Sequence, residues 1–462
     1  MIAEALGTRG ARSLAVDWLL DSATVVTMNP SRDVIADGAV LIRDGKIAYV
    51  GPSKKVPRRG VARIVDCKGA VVTPGLIHGH LHACQTLCRN RADGLELLDW
   101  LKERIWPFEA AHDAASMRAS ANLTFLELIS SGATAALDMG SVRHYDEVFL
   151  AARECGFRLT GGKTMMDAGQ GVPSGLLEDT RESLAQTEAL IARWHGQAGG
   201  RLRYAVAPRF VLSCSEALLK GVVSLAQNHG VRIHTHASEN TSECDAVTAL
   251  TGLTNVAYFE KLGLLGRRTT LAHGVWLNDA ERSLLRQTQT SLCHCPSANL
   301  KLASGYAKIP ELLEAGIFVA LGADGAPCNN NLDIFHEMRL AALMHLPRTG
   351  PRSVSADDVF TMATLGGARA LGLEDDIGSL EVGKKADVTV VHLGASPHAQ
   401  PSGDDVVAQL VYSARGSDVR DVFIDGVPVM RSRRVLTLDA ASVVAEGARQ
   451  ANRVEARMKL AS

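Results

Sequence analysis

The chain has 462 residues, 46% hydrophobic and 21% charged. That length can bury a substantial core in one large domain with a smaller one beside it, and the composition is that of an ordinary globular protein. A formal net charge of −1 gives no basis for nucleic acid or a membrane as partner, which leaves small-molecule chemistry. The nine cysteines are odd in number and scattered from Cys67 to Cys328. They read as reduced thiols of a cytoplasmic protein, not as a disulfide framework. Near the start, Glu4, Arg9 and Arg12 interrupt any apolar run, so neither a signal peptide nor a membrane span is supported, and residues 1 to 14 read as a loose leader.

In chain order, Ala39–Val50 reads as strand, Asp-Gly turn, strand. Val71, Val72, Leu76 and Ile77 then form the apolar run of a buried strand, Val71–Ile77, with Pro74-Gly75 turning the chain into it. That strand leads into His80-Leu-His82. Side chains alternate along a strand with period two, so both imidazoles point the same way and can reach one metal ion. Further strands are expected at Ala133–Leu137, Leu159–Met166, Arg203–Ala207, Val231–His236, Thr269–His273, Thr288–His294 and Phe318–Leu321. Helical runs separate them at Met117–Ser131, Thr180–His195, Ser215–His229 and Asp279–Gln287. The alternation predicts an α/β fold, a (β/α)8 TIM barrel. A doubly wound sheet would want a glycine-rich phosphate loop after its first strand, and none is present. Near the end, Asp421–Met430 repeats the hairpin plan of the start. Residues 15–72 and 373–440 are therefore expected to build one small β-sandwich, with the catalytic barrel over 73–372 and a C-terminal helix over 441–462.

Metal-competent residues recur just after the expected strands: His234-Thr-His236-Ala-Ser-Glu239 after the fifth, His273 at the sixth and Asp324 after the eighth. His80, His82, His236 and Asp324 make a nitrogen and oxygen set suited to zinc or ferrous iron, with a position open for water. Cys293-His294-Cys295 lacks the second pair that a structural zinc site would need.

Several motifs together carry a resemblance. They are Pro74-Gly-Leu-Ile followed by His-x-His, His236-x-x-Glu239, Ala-His273, Cys295–Gly305, Leu-Gly-Ala-Asp324-Gly and Ile377–Asp387. Over residues 20 to 435 the chain resembles the amidohydrolase superfamily. The branch is that of the aminohydrolases, which includes adenosine-analogue deaminases, guanine deaminase and the triazine hydrolases. The resemblance implies a distorted barrel, a terminal β-sandwich and one divalent metal ion per subunit, zinc first and iron second. It also implies a homo-oligomer, a dimer or larger. Asp324 would take the proton of the attacking water, Glu239 would protonate a ring nitrogen and then the leaving ammonia, and His273 would hydrogen-bond the attacking oxygen. The His-x-x-Glu pattern selects His236 as ligand and leaves His234 on the opposite side, as packing or support. His78 stands where relatives often carry Asn or Asp.

For the substrate, Glu109 aligns with a carboxylate that binds ribose hydroxyls in relatives, while Gln85 and Arg209 resemble the purine-edge contacts of guanine deaminase. Trp106, in Leu97–Trp106, completes the expected substrate contacts. The loop Ala323–Asn331 is similar to the adenosine-analogue and triazine enzymes. The expected activity is hydrolytic deamination of a 5′-modified adenosine such as 5′-deoxyadenosine, methylthioadenosine or S-adenosylhomocysteine. Deamination of guanine, 8-oxoguanine or a pterin ranks second, and hydrolysis of an s-triazine third.

Overall fold

The computed structural model describes residues 17–399 and 405–461; the leader expected at residues 1 to 14 lies outside them. Five strands open the described chain: β1 (Trp18–Val26), β2 (Val34–Arg43), β3 (Lys46–Pro52), β4 (Arg63–Asp66) and β5 (Val71–Pro74). The barrel strands follow as β6 (Leu76–Leu81), β7 (Ala133–Met139), β8 (Arg158–Gly162), β9 (Thr164–Met165), β10 (Leu202–Pro208), β11 (Arg232–Ala237), β12 (Thr269–His273), β13 (Ser291–His294) and β14 (Val319–Leu321). Four more close the fold: β15 (Val388–Val391), β16 (Val419–Ile424), β17 (Val427–Arg431) and β18 (Arg434–Val435), before a helix at Ala440–Ala461.

The terminal strands form one nine-stranded sheet in the order β18-β17-β16-β15-β5-β1-β2-β3, with β4 paired to β1. Asp44 and Gly45, like Asp425 and Gly426, both adopt positive φ, the left-handed pair that a two-residue hairpin turn demands. The two turns lie against each other, and a Cβ on Gly426 would sit 2.8 Å from the Gly45 Cα. The sheet also folds over its own apolar face. Trp18 of β1 meets Phe423 of β16 edge to face at 5.5 Å, although two strands separate them in the ladder.

The other sheet is the parallel barrel, in the order β14-β13-β12-β11-β10-β8-β7-β6, with β9 continuing alongside β10. Between β14 and β6 closure is partial: among the described residues a single bridge, Leu81–Asp324, joins the two at the carboxyl end, through Asp324 N–H and His80 O at 3.2 Å. Below it the turn at Met362–Gly366 and the helix Gly367–Leu371 fill the gap. A Cβ on Gly366 would meet Val319 O at 2.2 Å and one on Gly367 the Ile77 Cβ at 2.6 Å, so glycine is what lets this segment approach. This is the distorted barrel the resemblance implied.

Three expected strands are redrawn. Val71–Ile77 is two strands: Val71 and Val72 pair with β1 and β15, whereas Leu76 onward pairs with β7. Gly75 between them leaves the ladder to bond Asp387 O. Leu159–Met166 breaks at Lys163, whose N–H donates to the Tyr204 hydroxyl at 3.1 Å instead of to a strand. Thr288–His294 shortens because Thr288 still belongs to helix Asp279–Thr288, its hydroxyl bonded to Leu284 O at 2.8 Å. Barrel and terminal sheet are pinned together at Arg158, fully buried at the start of β8. Its guanidinium forks Asp387 at 2.6 and 2.8 Å and reaches Asp425 at 2.8 Å.

Candidate active site and metal centre

His80, on β6, and His82, one residue past its end, enter the barrel mouth together as strand parity requires. His80 Nε2 lies 3.1 Å and His82 Nε2 3.3 Å from Asp324 Oδ1, and His82 Nε2 lies 3.2 Å from His236 Nε2. Donor atoms around one tetrahedral ion with bonds of about 2.1 Å stand about 3.4 Å apart. The metal-competent atoms of His80, His82 and His236 lie within 4.8 Å of one another, as do those of His80, His273 and Asp324, so this cluster could hold a small metal ion.

The outer nitrogens fix the tautomers. His82 Nδ1 faces Met139 O at 2.7 Å, and His236 Nδ1 faces Arg209 O at 2.7 Å. A carbonyl only accepts, so each Nδ1 carries the proton and each Nε2 turns a bare lone pair inward. His80 does the same at one remove. Its Nδ1 meets His234 Nε2 at 2.8 Å, while His234 Nδ1 faces Thr270 O at 3.1 Å. The second contact puts the His234 proton on Nδ1, leaving its Nε2 to accept from His80. His234 thus does not face the opposite side from His236. Two residues apart on β11, both point into the barrel, and His234 supports a metal-facing histidine from the layer below. Burial holds His80 and His236 below their ordinary pKa and His82 down to about 4. At neutral pH all three are neutral, the form that binds metal.

Three non-glycine residues here have left-handed backbone: Ser238 (φ 53°), His273 (φ 74°) and Asp324 (φ 60°). Strain of this kind persists only where the surroundings dictate it, and it gathers at working sites. Asp324 is gripped by its neighbours, with Gly325 N–H donating to Oδ1 at 2.7 Å and the Cys328 thiol to Oδ2 at 3.2 Å. Burial works against its charge, but whenever His80, His82 or His273 takes up a proton the ring attracts the carboxylate, and this coupling holds Asp324 well below the usual carboxylate range. Glu239 is the opposite case. Burial first, and the negative charge of Asp324 second, push its carboxyl well above the ordinary value. Its Oε2 sits 3.4 Å from His273 Nε2, and its Oε1 has no protein partner. His273 is oriented by Asn299, whose Oδ1 lies 2.9 Å from Nδ1, leaving Nε2 turned into the cavity.

The cavity is lined by His82, His236, Glu239, His273 and Asp324 on one side and by Leu97, Trp100, Leu101, Arg209 and Phe210 on the other. Arg209 forks Glu109 at 2.6 and 3.2 Å, and the Gln85 amide donates to Glu109 Oε1 at 2.8 Å. The structure brings these three expected residues into one buried cluster. Arg209 fronts the cavity, while Glu109 and Gln85 stand behind it. Trp106 is buried in the core and does not line the cavity; Trp100, on the same segment, does. His78 is fully buried two residues before His80, its pKa pushed down to about 3 by burial. Cys293, His294 and Cys295 form no metal-competent group among the described residues. His294 instead packs against the ring of His345.

The amidohydrolase family profile matches residues 71–429. The chain belongs to that family. It is 38% identical over 447 residues to a 5′-deoxyadenosine deaminase of Methanosarcina acetivorans, covering 96% of this chain and 99% of that one. It is 40% identical over 430 residues to a 5-methylthioadenosine/S-adenosylhomocysteine deaminase of Moorella thermoacetica, covering 93% and 97%. An adenosine deaminase from Xanthomonas campestris, solved with bound zinc, superposes with a TM-score of 0.89 at 32% identity over 95% of this chain and 99% of that one.

Sequence reasoning passes over several residues of this amidohydrolase site. Leu97, Trp100 and Leu101 fall on one face of a helical turn, and that spacing is the signal available for them. Glu243 accepts the Glu239 N–H at 2.8 Å from one helical turn on, its own carboxyl raised by burial to about 7. Asn299 lies inside the Cys295–Gly305 motif, where nothing local distinguishes it from a helix-start residue.

Proposed function

We propose that this amidohydrolase is a hydrolytic deaminase that replaces the 6-amino group of a 5′-modified adenosine with oxygen, consuming water and releasing ammonia. 5′-Deoxyadenosine, methylthioadenosine and S-adenosylhomocysteine are the expected substrates. The observation that carries the reading is Glu239: a carboxyl whose pKa burial pushes well above the ordinary value, facing the cavity beside three inward imidazole lone pairs. Hydrolysis of an amidine-like ring needs a proton delivered to the ring nitrogen as oxygen adds to carbon, and a carboxyl raised by burial is suited to supply it.

His80, His82, His236 and Asp324 would hold the metal, with zinc as the expected ion. When bound, the ion supplies the Lewis acidity that makes water nucleophilic near neutral pH. Asp324, ionised and at the same centre, takes the proton that water sheds. Glu239 gives its proton to the ring nitrogen, takes up the proton of the added hydroxyl as the C=O bond forms and passes it to the departing amine, and the proton held by Asp324 then returns to Glu239. His273 Nε2, held by Asn299, hydrogen-bonds the attacking oxygen. Trp100, Leu97, Leu101 and Phe210 provide an apolar slot for the ring, and the Gln85–Glu109–Arg209 cluster contributes the polar contacts behind it.

One observation favours a second reading. Both oxygens of Glu109 already receive protein donors, and Arg209 presents a cation to the cavity, which suits a ring bearing a carbonyl such as guanine or a pterin. Ammonia release from the three adenosine derivatives, guanine, isoxanthopterin and a chlorotriazine separates the possibilities, and turnover of guanine alone would overturn the first reading. Glu239→Gln is expected to lower kcat by about 10²–10⁴-fold while metal stays bound. Retained turnover would refute the proton-shuttle role.

A further inference from the structure

Glu337 lies on the helix Ile334–Leu343, packed against the helix Pro296–Lys301 and strands β6 and β14. It is fully buried, and the chemistry described above makes no use of it. Its carboxylate receives three hydrogen bonds: from Ser297 N–H at 3.2 Å, from the Ser297 hydroxyl at 2.5 Å, and from the Asn329 side-chain amide at 2.9 Å. The Ser297 N–H belongs to the first turn of Pro296–Lys301, where backbone donors have no carbonyl of their own helix to bond. That short helix carries Asn299, the partner of His273. The Asn329 amide also donates to Ala323 O at 2.7 Å, and Ala323 immediately precedes Asp324.

We propose that Glu337 is a positioning residue for the deamination. It sets the placement of His273 relative to Asp324 across the reacting centre, through Asn299 on one side and Ala323 on the other. The inference rests on the aminohydrolase reading of the site. A carboxylate suits the place because its three partners all offer hydrogen. If glutamine stood there, its NH2 would face either the Ser297 N–H or the Asn329 NH2, and Asn329 cannot turn over without setting its own oxygen against Ala323 O. Burial pushes the Glu337 carboxyl up to about 7 against the pull of these donors.

The test compares the metal-loaded wild type with Glu337→Gln, Ser297→Ala and the double variant. For Glu337→Gln, kcat is expected to fall about 10- to 100-fold, as for loss of a partner that orients a metal-site residue. KM should stay within about threefold, and bound metal should match the wild type. Ser297→Ala should lower kcat less, and the double variant should lose less than the two single losses combined, since both act through one network. In cobalt-substituted protein the visible spectrum, which reports the metal's surroundings, should differ between wild type and Glu337→Gln because Asp324 has shifted. Wild-type kcat, an unchanged cobalt spectrum or lost metal in Glu337→Gln would each overturn the inference. A wild type inactive on every amine tested would sink the aminohydrolase reading, and the cobalt spectra would still decide whether Glu337 places Asp324.

Discussion

The two walls of the cavity are held by opposite physics. On the metal wall three of the four donors are neutral imidazoles, each steered by an outer hydrogen bond to a carbonyl or, for His80, to another imidazole, and the fourth is the Asp324 carboxylate. On the substrate wall a buried cation and a buried anion hold each other, Arg209 against Glu109, with Gln85 alongside. The first wall stands on regular strands. The second stands partly on Arg209 and Phe210, just past β10, and partly on the irregular stretch Ala83–Ala110, which contains a 3₁₀ segment, a four-residue helix and a π-turn at Leu101–Ile105. A wall built on strand parity is geometrically stiff. A wall built on a buried ion pair can be re-cut by changing one charge, which suits a family whose members share a metal and differ in substrate.

Metal removal attacks the first wall with the largest expected effect. Dialysis against a chelator should abolish ammonia release, and added zinc should restore it. The stripped protein should also melt lower, because an ion that binds only the folded chain stabilises it. Activity that survives with less than a few hundredths of an equivalent of metal would break the division between the walls.

On the substrate wall Arg209→Met should cost about 3–5 kcal/mol of stability, the usual cost of leaving a buried charge unpaired. Pairing it with Glu109→Gln removes the stranded charge and should recover most of that loss. Denaturant midpoints of the two single variants and the double variant measure the coupling. Additive losses would mean that the ion pair contributes little and that the wall is held by its apolar residues.

The contrast also explains which parts of the molecule are legible in the chain alone. Strand parity by itself makes His80 and His82 a pair, and the barrel follows from alternating strands and helices. The two Asp-Gly turns announce the hairpins that meet in the terminal sheet. Parity applied with the same care to β11 puts His234 on the same side as His236, against the expectation drawn from the His-x-x-Glu pattern. The break at Gly75 is hidden because Val71–Ile77 is continuous in apolar character, and only the partner strands show that its halves belong to different sheets. Trp106 and Trp100 belong to one quoted segment, with a π-turn between them, and likeness of the segment does not say which of the two faces the cavity. Glu337 leaves no local trace. Its partners Ser297 and Asn329 come from two separate short helices, and no spacing rule joins them.

A smaller effect should appear with pH at the foot of the substrate wall. His112 is buried, with Nε2 2.9 Å from Cys84 O and Nδ1 3.0 Å from the Ser116 hydroxyl. It ties the residues just past His82 to the next helix. Burial holds its pKa down to about 4. The unfolded chain takes up this proton near pH 6.5, whereas the folded one does not until about pH 4. The contribution is therefore fully present above about 6.5 and is lost as pH falls toward about 4. The loss amounts to at most about 3 kcal/mol. Other buried histidines share this slope, so the informative quantity is the stability difference between wild type and His112→Gln, which should shrink between about pH 7.5 and about pH 4.5. Parallel curves would show that His112 does not anchor the segment.

The finest test is His234→Leu, which tells the walls apart by what it leaves alone. The substitution removes the acceptor for His80 Nδ1–H and strands Thr270 O, but adds no polar group to the barrel. His80 then loses the bond that keeps its proton on Nδ1. Zinc affinity, read by competition with a chromophoric chelator, should weaken about 10- to 100-fold. At saturating zinc, KM should stay at the wild-type value, because Arg209, Glu109 and Trp100 are untouched. A raised KM with unchanged zinc affinity would mean that the layer beneath the metal also shapes the substrate wall, and that the walls are one mechanical unit.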